Sequence, residues 1–202
     1  MKKVKFGIVG VGDFGVMHIQ ALKQLPEAEV HAVSCRTESR LKAICEKYKI
    51  PNWYTNVDDL MNDPEIDVII VATGEDTHYS FTEKAIREGK HVLLEKPICL
   101  NVEDGKKLLE LEQSTDLYIL PGHILRYDAS YNNAYRILQN EDMYGKILSI
   151  RVKRNVPIER FSLHSRTHPV FMALAHDIDI ITWLTNSRIK SVCGVQKKSK
   201  EE

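Results

Sequence analysis

The sequence predicts an α/β protein: a doubly wound parallel sheet with helices on both faces, followed by an incomplete α+β part with a mostly antiparallel sheet. Three observations carry this. From Lys3 to Leu120 short apolar runs alternate with segments of helical period. The runs are apolar at consecutive positions, as in Val68 to Ala72, which is the pattern of strands buried on both faces. A glycine-spaced turn follows the first run directly and opens the first helix.

Taken in order, the predicted strands are "VKFGIV", "VHAVSC", "DVIIVAT", "HVLLE" and "LYIL". Between them lie "ALKQL", "SRLKAICEKY", "SFTEKAIREGK" and "VEDGKKLLELEQ", whose apolar residues recur at helical spacing. Asn56 or Asp58 is placed to cap "DLMN", Asn101 to cap "VEDGKKLLE", and Gly89 to end its helix in a left-handed conformation. After Leu120 the pattern changes. "GHILRYDASYNNAYRILQN" reads as a loop and a helix, and "GKILSIRVKRNVPI" as a long antiparallel strand alternating apolar and basic residues. The polar loop "ERFSLHSRTHP" leads to the apolar helix "VFMALAHDIDIITWLT", then to the strand-like "RIKSVCGV" and a charged tail. The expected division is 1–121 and 122–202, and the second part, with two strands, is thin for an independent core.

Lysine plus arginine balance aspartate plus glutamate at 28 each, so no net positive field draws nucleic acid or an anionic membrane. No apolar run approaches the roughly 20 residues of a membrane span, and the start "MKKVKFGIVGVGDFG" lacks the apolar region of a signal peptide, so a cytoplasmic protein is expected. Cys35, Cys45, Cys99 and Cys193 show no CxxC pair or zinc spacing and are expected as free thiols.

"GIVGVGDFGVMHIQAL" sets Gly10, Gly12 and Gly15 in GxGxxG spacing between a strand and a helix. Gly10 permits the tight turn, Gly12 lets a pyrophosphate approach the backbone, and Gly15 brings helix and strand together; Asp13 and Phe14 lie within the turn. The positive end of the helix then faces the phosphates. In an NAD site the second strand would end in an acid that binds the adenosine ribose. Here it ends "VSCRTESR", with no acid before Glu38. Ser34 and Arg36 suit a 2′-phosphate instead, so NADP(H) is expected ahead of NAD(H).

The glycine turn, "DVIIVATGEDTHYSFTEKAIREGKHVLLEKP" and "HDID" together make the chain resemble the Gfo/Idh/MocA oxidoreductases. The resemblance covers essentially the whole chain and is most specific from Asp67 to Pro97. It implies an N-terminal Rossmann domain and a C-terminal domain on an open, mostly antiparallel sheet, of which this chain holds a part. It places Glu95, Lys96 and Pro97 beside the nicotinamide, the backbone of Ala72 and Thr73 along the cofactor, and His78 as the family's loop histidine. Gly74 stands where members usually carry proline. Arg126 matches an arginine near the substrate cavity, and His176 the histidine commonly assigned to proton transfer. Many members carry an aspartate four residues before that histidine; here the residue is Met172.

Oxidising a carbinol sends a hydride to the cofactor and a proton to a base. Lys96, at the C-terminal end of a strand, would meet the crevice where doubly wound folds bind ligands and could stabilise a developing alkoxide. His176 can exchange the proton near neutral pH. His123 is placed near the cavity as a substrate contact or a loop-packing group, while Asp177 and Asp179 are expected to be structural or solvated. His164 and His168 are read as loop residues, and no metal is expected. The residue preceding Pro97 is held extended, and the Lys96–Pro97 bond is a candidate for the cis form.

The resulting expectation is an NADP(H)-preferring oxidoreductase acting on a secondary alcohol or ketone of a sugar, cyclitol or polyol, with Lys96 and His176 handling the proton. Homo-oligomers would form through the C-terminal sheet. Met172 and the short second part leave two other readings open: a regulatory nucleotide-binding protein without turnover, and a truncated gene product whose sheet edge self-associates.

Overall fold

The computed structural model describes residues 2–155, 157 and 170–195, without the side chains of Glu141 and Met172. Six parallel strands form one sheet: β1 (Val4–Val9), β2 (Ala28–Ser34), β3 (Asn52–Tyr54), β4 (Val68–Val71), β5 (His91–Leu94) and β6 (Ile119–Pro121). Their order is β3-β2-β1-β4-β5-β6, so the chain moves outward from β1 to one edge, then returns past it to fill the other. That reversal opens a crevice at the carboxyl ends of β1 and β4.

β3 is the strand that sequence periodicity did not register. Three residues after Pro51 are too few to show a period, and "NWY" becomes a strand because it pairs with Ala32, Val33 and Ser34 on the exposed side of β2. The rest of the alternation holds. The helices are α1 (Asp13–Leu22), α2 (Glu38–Tyr48), α3 (Val57–Met61), α4 (His78–Arg87) and α5 (Val102–Gln113). Asn56 caps α3 by accepting from the Asp58 N–H, Asn101 caps α5 through the Asp104 N–H, and Gly89 has φ 76° beyond the end of α4.

Both sheet faces are covered, which is why the strands lack alternation. One face packs Val9, Ile69, Val71, Val92 and Leu94 against helical residues including Ala85, Ile86 and Leu108. The other packs Ile8, Val30, Val33 and Ile70 against Ile19, Leu22 and Leu41. At roughly 1.5–3 kcal/mol for each fully buried aliphatic side chain, these two layers are the main stabilising term of the parallel part.

Beyond β6 come α6 (Ala129–Leu138), α7 (Glu141–Tyr144) and, after a π-helical turn at Val170–Leu174, α8 (Ala175–Thr185). Asp128 caps α6 through the N–H groups of Ser130 and Tyr131. Tyr135 stacks on Trp183 at 4.2 Å, joining α6 to α8. The expected antiparallel strands do not form among the described residues: 145–155 and 188–195 carry no strand pairing. Two isolated segments supply too few partners to satisfy each other's backbone, and Leu148, Val192 and Val195 are left at 97%, 90% and 98% exposure. All four cysteines are free thiols, and no described helix is long and apolar enough to cross a membrane.

Candidate functional site at the carboxyl end of the sheet

The strand ladders align the site by extending one residue past each strand. Ser34 O accepts from the Gly10 N–H at 2.8 Å, Val9 O from the Ala72 N–H at 2.9 Å, and Val71 O from the Glu95 N–H at 3.0 Å. The turn after β1, the "AT" after β4 and the "EKP" after β5 therefore lie along one rim.

The three glycines of the turn differ in what they require. Gly10 has φ 92°, and a Cβ there would lie 2.4 Å from Ala72 O. At Gly15 a Cβ would lie 1.9 Å from Gly10 O, so helix and turn touch backbone to backbone. Gly12 is bounded by nothing within 4 Å, and it starts α1 without a side-chain cap. A bare, open backbone at a helix N-terminus suits a pyrophosphate, whose oxygens need unobstructed N–H groups. Asp13 and Phe14 are exposed on the first turn.

At the end of β2, Arg36 is exposed and no carboxylate precedes Glu38, which pairs with Lys42 at 2.7 Å on α2. Ser34 is only 2% exposed, so its contribution to the turn is its carbonyl rather than a displayed hydroxyl. Behind the rim His78 is 1% exposed. Its Nδ1 lies 2.6 Å from Pro97 O and its Nε2 3.4 Å from Thr73 O, clamping the loops after β4 and β5 to each other. Thr77 braces the first of these loops by donating to Gly74 O at 2.8 Å.

Glu95 is buried and hydrogen-bonded to His18 Nε2 at 2.8 Å, while its other oxygen accepts from the Lys96 N–H at 3.3 Å. Burial pushes the Glu95 carboxyl up, but the His18 hydrogen bond and charge, aided by Lys96, outweigh it and leave the group below its ordinary value. The Lys96–Pro97 bond is cis, and the Lys96 ammonium sits 5.5 Å over the Phe14 ring.

α8 supplies the opposite side. Burial holds the His176 imidazole below its ordinary pKa, assisted by the Lys96 ammonium and the Arg154 guanidinium against the pull of Asp177. Lys96 and His176 are thus electrostatic neighbours although 80 positions separate them. His123 is likewise held down by burial, with Asp179 opposing and Arg126 assisting. Among the described residues, the buried His123 Nδ1 and His176 Nδ1 find no hydrogen-bond partner. Met172, four residues before His176, offers no strong acceptor; its side chain lies outside the described residues, as do His164 and His168.

Asp177 and Asp179 are structural rather than solvated. Arg154 donates to the Asp177 carboxylate at 2.7 and 2.6 Å, and Arg126 to that of Asp179 at 3.0 and 2.5 Å. Arg126, expected at the substrate cavity, therefore has its fork committed to Asp179, whose side chain is only 7% exposed. His18 and Arg154 were missed in the sequence: one sits at an unremarked helix position, the other in a basic run whose partner is 23 residues away. Among the described residues no three His, Cys, Asp or Glu side chains form a metal-holding group.

Comparison with known proteins places this rim in context. Residues 4–123 match the model of an oxidoreductase family with an NAD-binding Rossmann fold, Gfo/Idh/MocA. Myo-inositol 2-dehydrogenase of Thermotoga maritima is 25% identical over 94% of this chain and 57% of its own length. The scyllo-inositol 2-dehydrogenase (NAD(+)) of Bacillus subtilis is 27% identical over 95% and 57%. A crystal structure of scyllo-inositol dehydrogenase from Lactobacillus casei, with bound NAD(H) and scyllo-inositol, superposes with a TM-score of 0.83 at 26% identity, over 92% of this chain and 57% of that one. The chain thus spans little more than half the length of these relatives.

Proposed function

Because the chain belongs to the Gfo/Idh/MocA oxidoreductase family, we propose that it is an NAD(P)-dependent dehydrogenase or reductase acting on a CH–OH group of a cyclitol or related sugar or polyol. The observation that carries this reading is the placement of Lys96 at the end of β5 with its ammonium over the Phe14 ring of the glycine turn, its charge reaching the half-buried His176 of α8.

A bound nicotinamide would supply the hydride acceptor or donor. The open backbone at Gly12 and the N-terminus of α1 would hold the pyrophosphate, with Ala72 and Thr73 lining the next strand end. The Lys96 ammonium donates to the carbinol or carbonyl oxygen and stabilises charge as it develops there. His176, kept neutral near pH 7 by its depressed pKa, takes the proton on oxidation and returns it on reduction. His123, half-buried beside Asp179 and Arg126, would offer a further substrate contact.

The same proposal assigns NADP(H) as the preferred cofactor. The exposed Arg36 and the missing carboxylate at the end of β2 support it, while the NAD(H) in the Lactobacillus casei structure makes NAD(H) the competing choice. Residues 1–121 would form the cofactor domain and 122–202 part of a substrate domain. In it, 145–155 and 188–195 would pair within a mostly antiparallel sheet that also joins subunits, which would cover the exposed Leu148, Val192 and Val195.

Purified protein is titrated with NADPH and NADH and then assayed for NADP and NAD reduction with myo- and scyllo-inositol. Lys96→Ala should abolish turnover and leave cofactor binding intact. Arg36→Ala should weaken NADPH binding by about tenfold, the worth of one charge-assisted contact, and spare NADH. Turnover that survives Lys96→Ala removes the catalytic assignment, and tighter binding of NADH than NADPH removes the cofactor preference. The Nδ1 of His176, which finds no hydrogen-bond partner among the described residues, favours a second reading, a nucleotide-binding regulator, which tight cofactor binding with no turnover on either inositol would select.

A further inference from the structure

We propose that Phe14 and His18, one helical turn apart on α1, are positioning residues that hold Lys96 from two ends: Phe14 beneath its ammonium, and His18, through Glu95, at its backbone. The inference rests on the assignment of Lys96 as the reacting lysine.

Residues four apart on a helix share a face. On α1 that face is turned toward the end of β5, where the Phe14 ring lies 5.5 Å from Lys96 Nζ and His18 Nε2 2.8 Å from Glu95 Oε1. Glu95 relays the second contact, because its other oxygen accepts from the Lys96 N–H at 3.3 Å. The chain at Gly122 runs close to the same carboxylate, where an added Cβ would lie 3.4 Å from Glu95 Oε2.

A buried polar pair of this kind is a weak source of stability, since apolar residues of similar volume would serve as well. What it does supply is a fixed distance. The helix that carries the pair is the one whose N-terminus carries the open Gly12 backbone, and Gly15 locks that helix to the turn by backbone contact. The phosphate cradle and the lysine are therefore mounted on one rigid body. Seating a dinucleotide on α1 would place its far end and Lys96 in a common frame, with no intervening loop to blur the register.

The test follows the lysine directly as well as the reaction. The protein is reductively methylated with 13C-formaldehyde, the Lys96 methyl resonance is assigned with Lys96→Arg, and NADPH affinity and inositol-dependent turnover are measured in parallel. His18→Ala should move the Lys96 resonance and cut kcat by about tenfold or more, while the NADPH Kd stays within about threefold. His18→Gln, which keeps a donor toward Glu95, should return the resonance toward its original position. Phe14→Leu should move the resonance and Phe14→Tyr, which keeps a ring face, should not. A Lys96 resonance unmoved by both His18→Ala and Phe14→Leu overturns the proposal. So does an equal loss of NADPH binding and turnover in His18→Ala that His18→Gln fails to recover, because that is the behaviour of a group needed only for folding. If His18→Ala does not fold, the Phe14→Leu and Phe14→Tyr comparison decides. Absence of turnover in the unaltered protein would count against the proposed function alone, since the resonance still reports on the lysine's position.

Discussion

Replacing Gly12 by alanine separates the proposed phosphate cradle from the fold that carries it. Gly12 has φ −71° and ψ −166°, a conformation open to any L-residue, and its Cβ would meet no atom within 4 Å. Folding should hardly register the change. Alanine caps a helix less well than glycine but loses less entropy on folding, and these opposed terms, each under about 1 kcal/mol, leave Tm within about 4 °C. Cofactor binding should suffer, because the methyl group occupies the space where a pyrophosphate must approach the α1 N–H groups. Losing two charge-assisted hydrogen bonds costs about 3 kcal/mol or more, a rise in NADPH Kd of roughly a hundredfold. Gly15→Ala is the contrasting variant. Its Cβ would lie 1.9 Å from Gly10 O, and Gly10 cannot retreat because its own Cβ position is 2.4 Å from Ala72 O. Overpacking of this order costs about 1–3 kcal/mol, so Tm should fall by about 2–12 °C, with binding lost as well. Thermal melts paired with NADPH fluorescence titrations measure both quantities. Unchanged NADPH affinity in Gly12→Ala, with a normal melt, would refute the cradle.

Acid stability should fall in two steps, the first set by imidazoles and the second by carboxylates. His176 and His123 are held below their ordinary value, so the unfolded chain takes up their protons first, and stability should decline as pH falls below about 6.5; replacing both by glutamine should flatten that limb of a Tm-versus-pH curve. Glu95 is also held down, so its contribution is present above about pH 4.3 and lost below it, and Glu95→Gln should shrink that lower limb, to which Asp63 and Glu65, also held down, contribute the rest among the described residues. Lys90, 8% exposed, donates to Asp63 O at 2.9 Å and Ile66 O at 2.7 Å; Lys90→Met strands the Ile66 carbonyl, leaves Asp63 O only the Ile66 N–H at 3.3 Å, and should cost about 1–3 kcal/mol in urea unfolding without changing cofactor affinity. Arg154→Met leaves the Asp177 carboxylate, 8% exposed, without its fork and should destabilise by about 1–3 kcal/mol, whereas a cost no greater than that of an exposed pair would show that α8 is anchored elsewhere.

The parallel half was legible because its rules are local. Consecutive apolar residues, two asparagine caps, the left-handed Gly89 and the GxGxxG turn each declare themselves within a few positions, and all appear in the structure. Pro97 announced an unusual peptide bond from its neighbours alone. β3 escaped because three residues carry no period and its strand character comes from β2. The antiparallel half does not appear among the described residues, since a strand needs partners as well as a pattern.

The site residues divide the same way. Gly10, Gly12, Gly15 and Lys96 were marked by motif chemistry, which depends on adjacent positions. What those positions do depended on contacts the sequence does not order. Arg126 proved committed to Asp179 53 residues away, His78 to two loop carbonyls, and Glu95 to a histidine 77 residues earlier. By itself the sequence determined the doubly wound sheet, its glycine turn and the delivery of a lysine to the sheet's carboxyl end, because backbone sterics and periodicity act over short stretches. Only the tertiary structure decided which charged groups pair, which imidazoles are held down by burial and which helix the lysine lies against, because desolvation and Coulomb interaction depend on distance in space rather than along the chain.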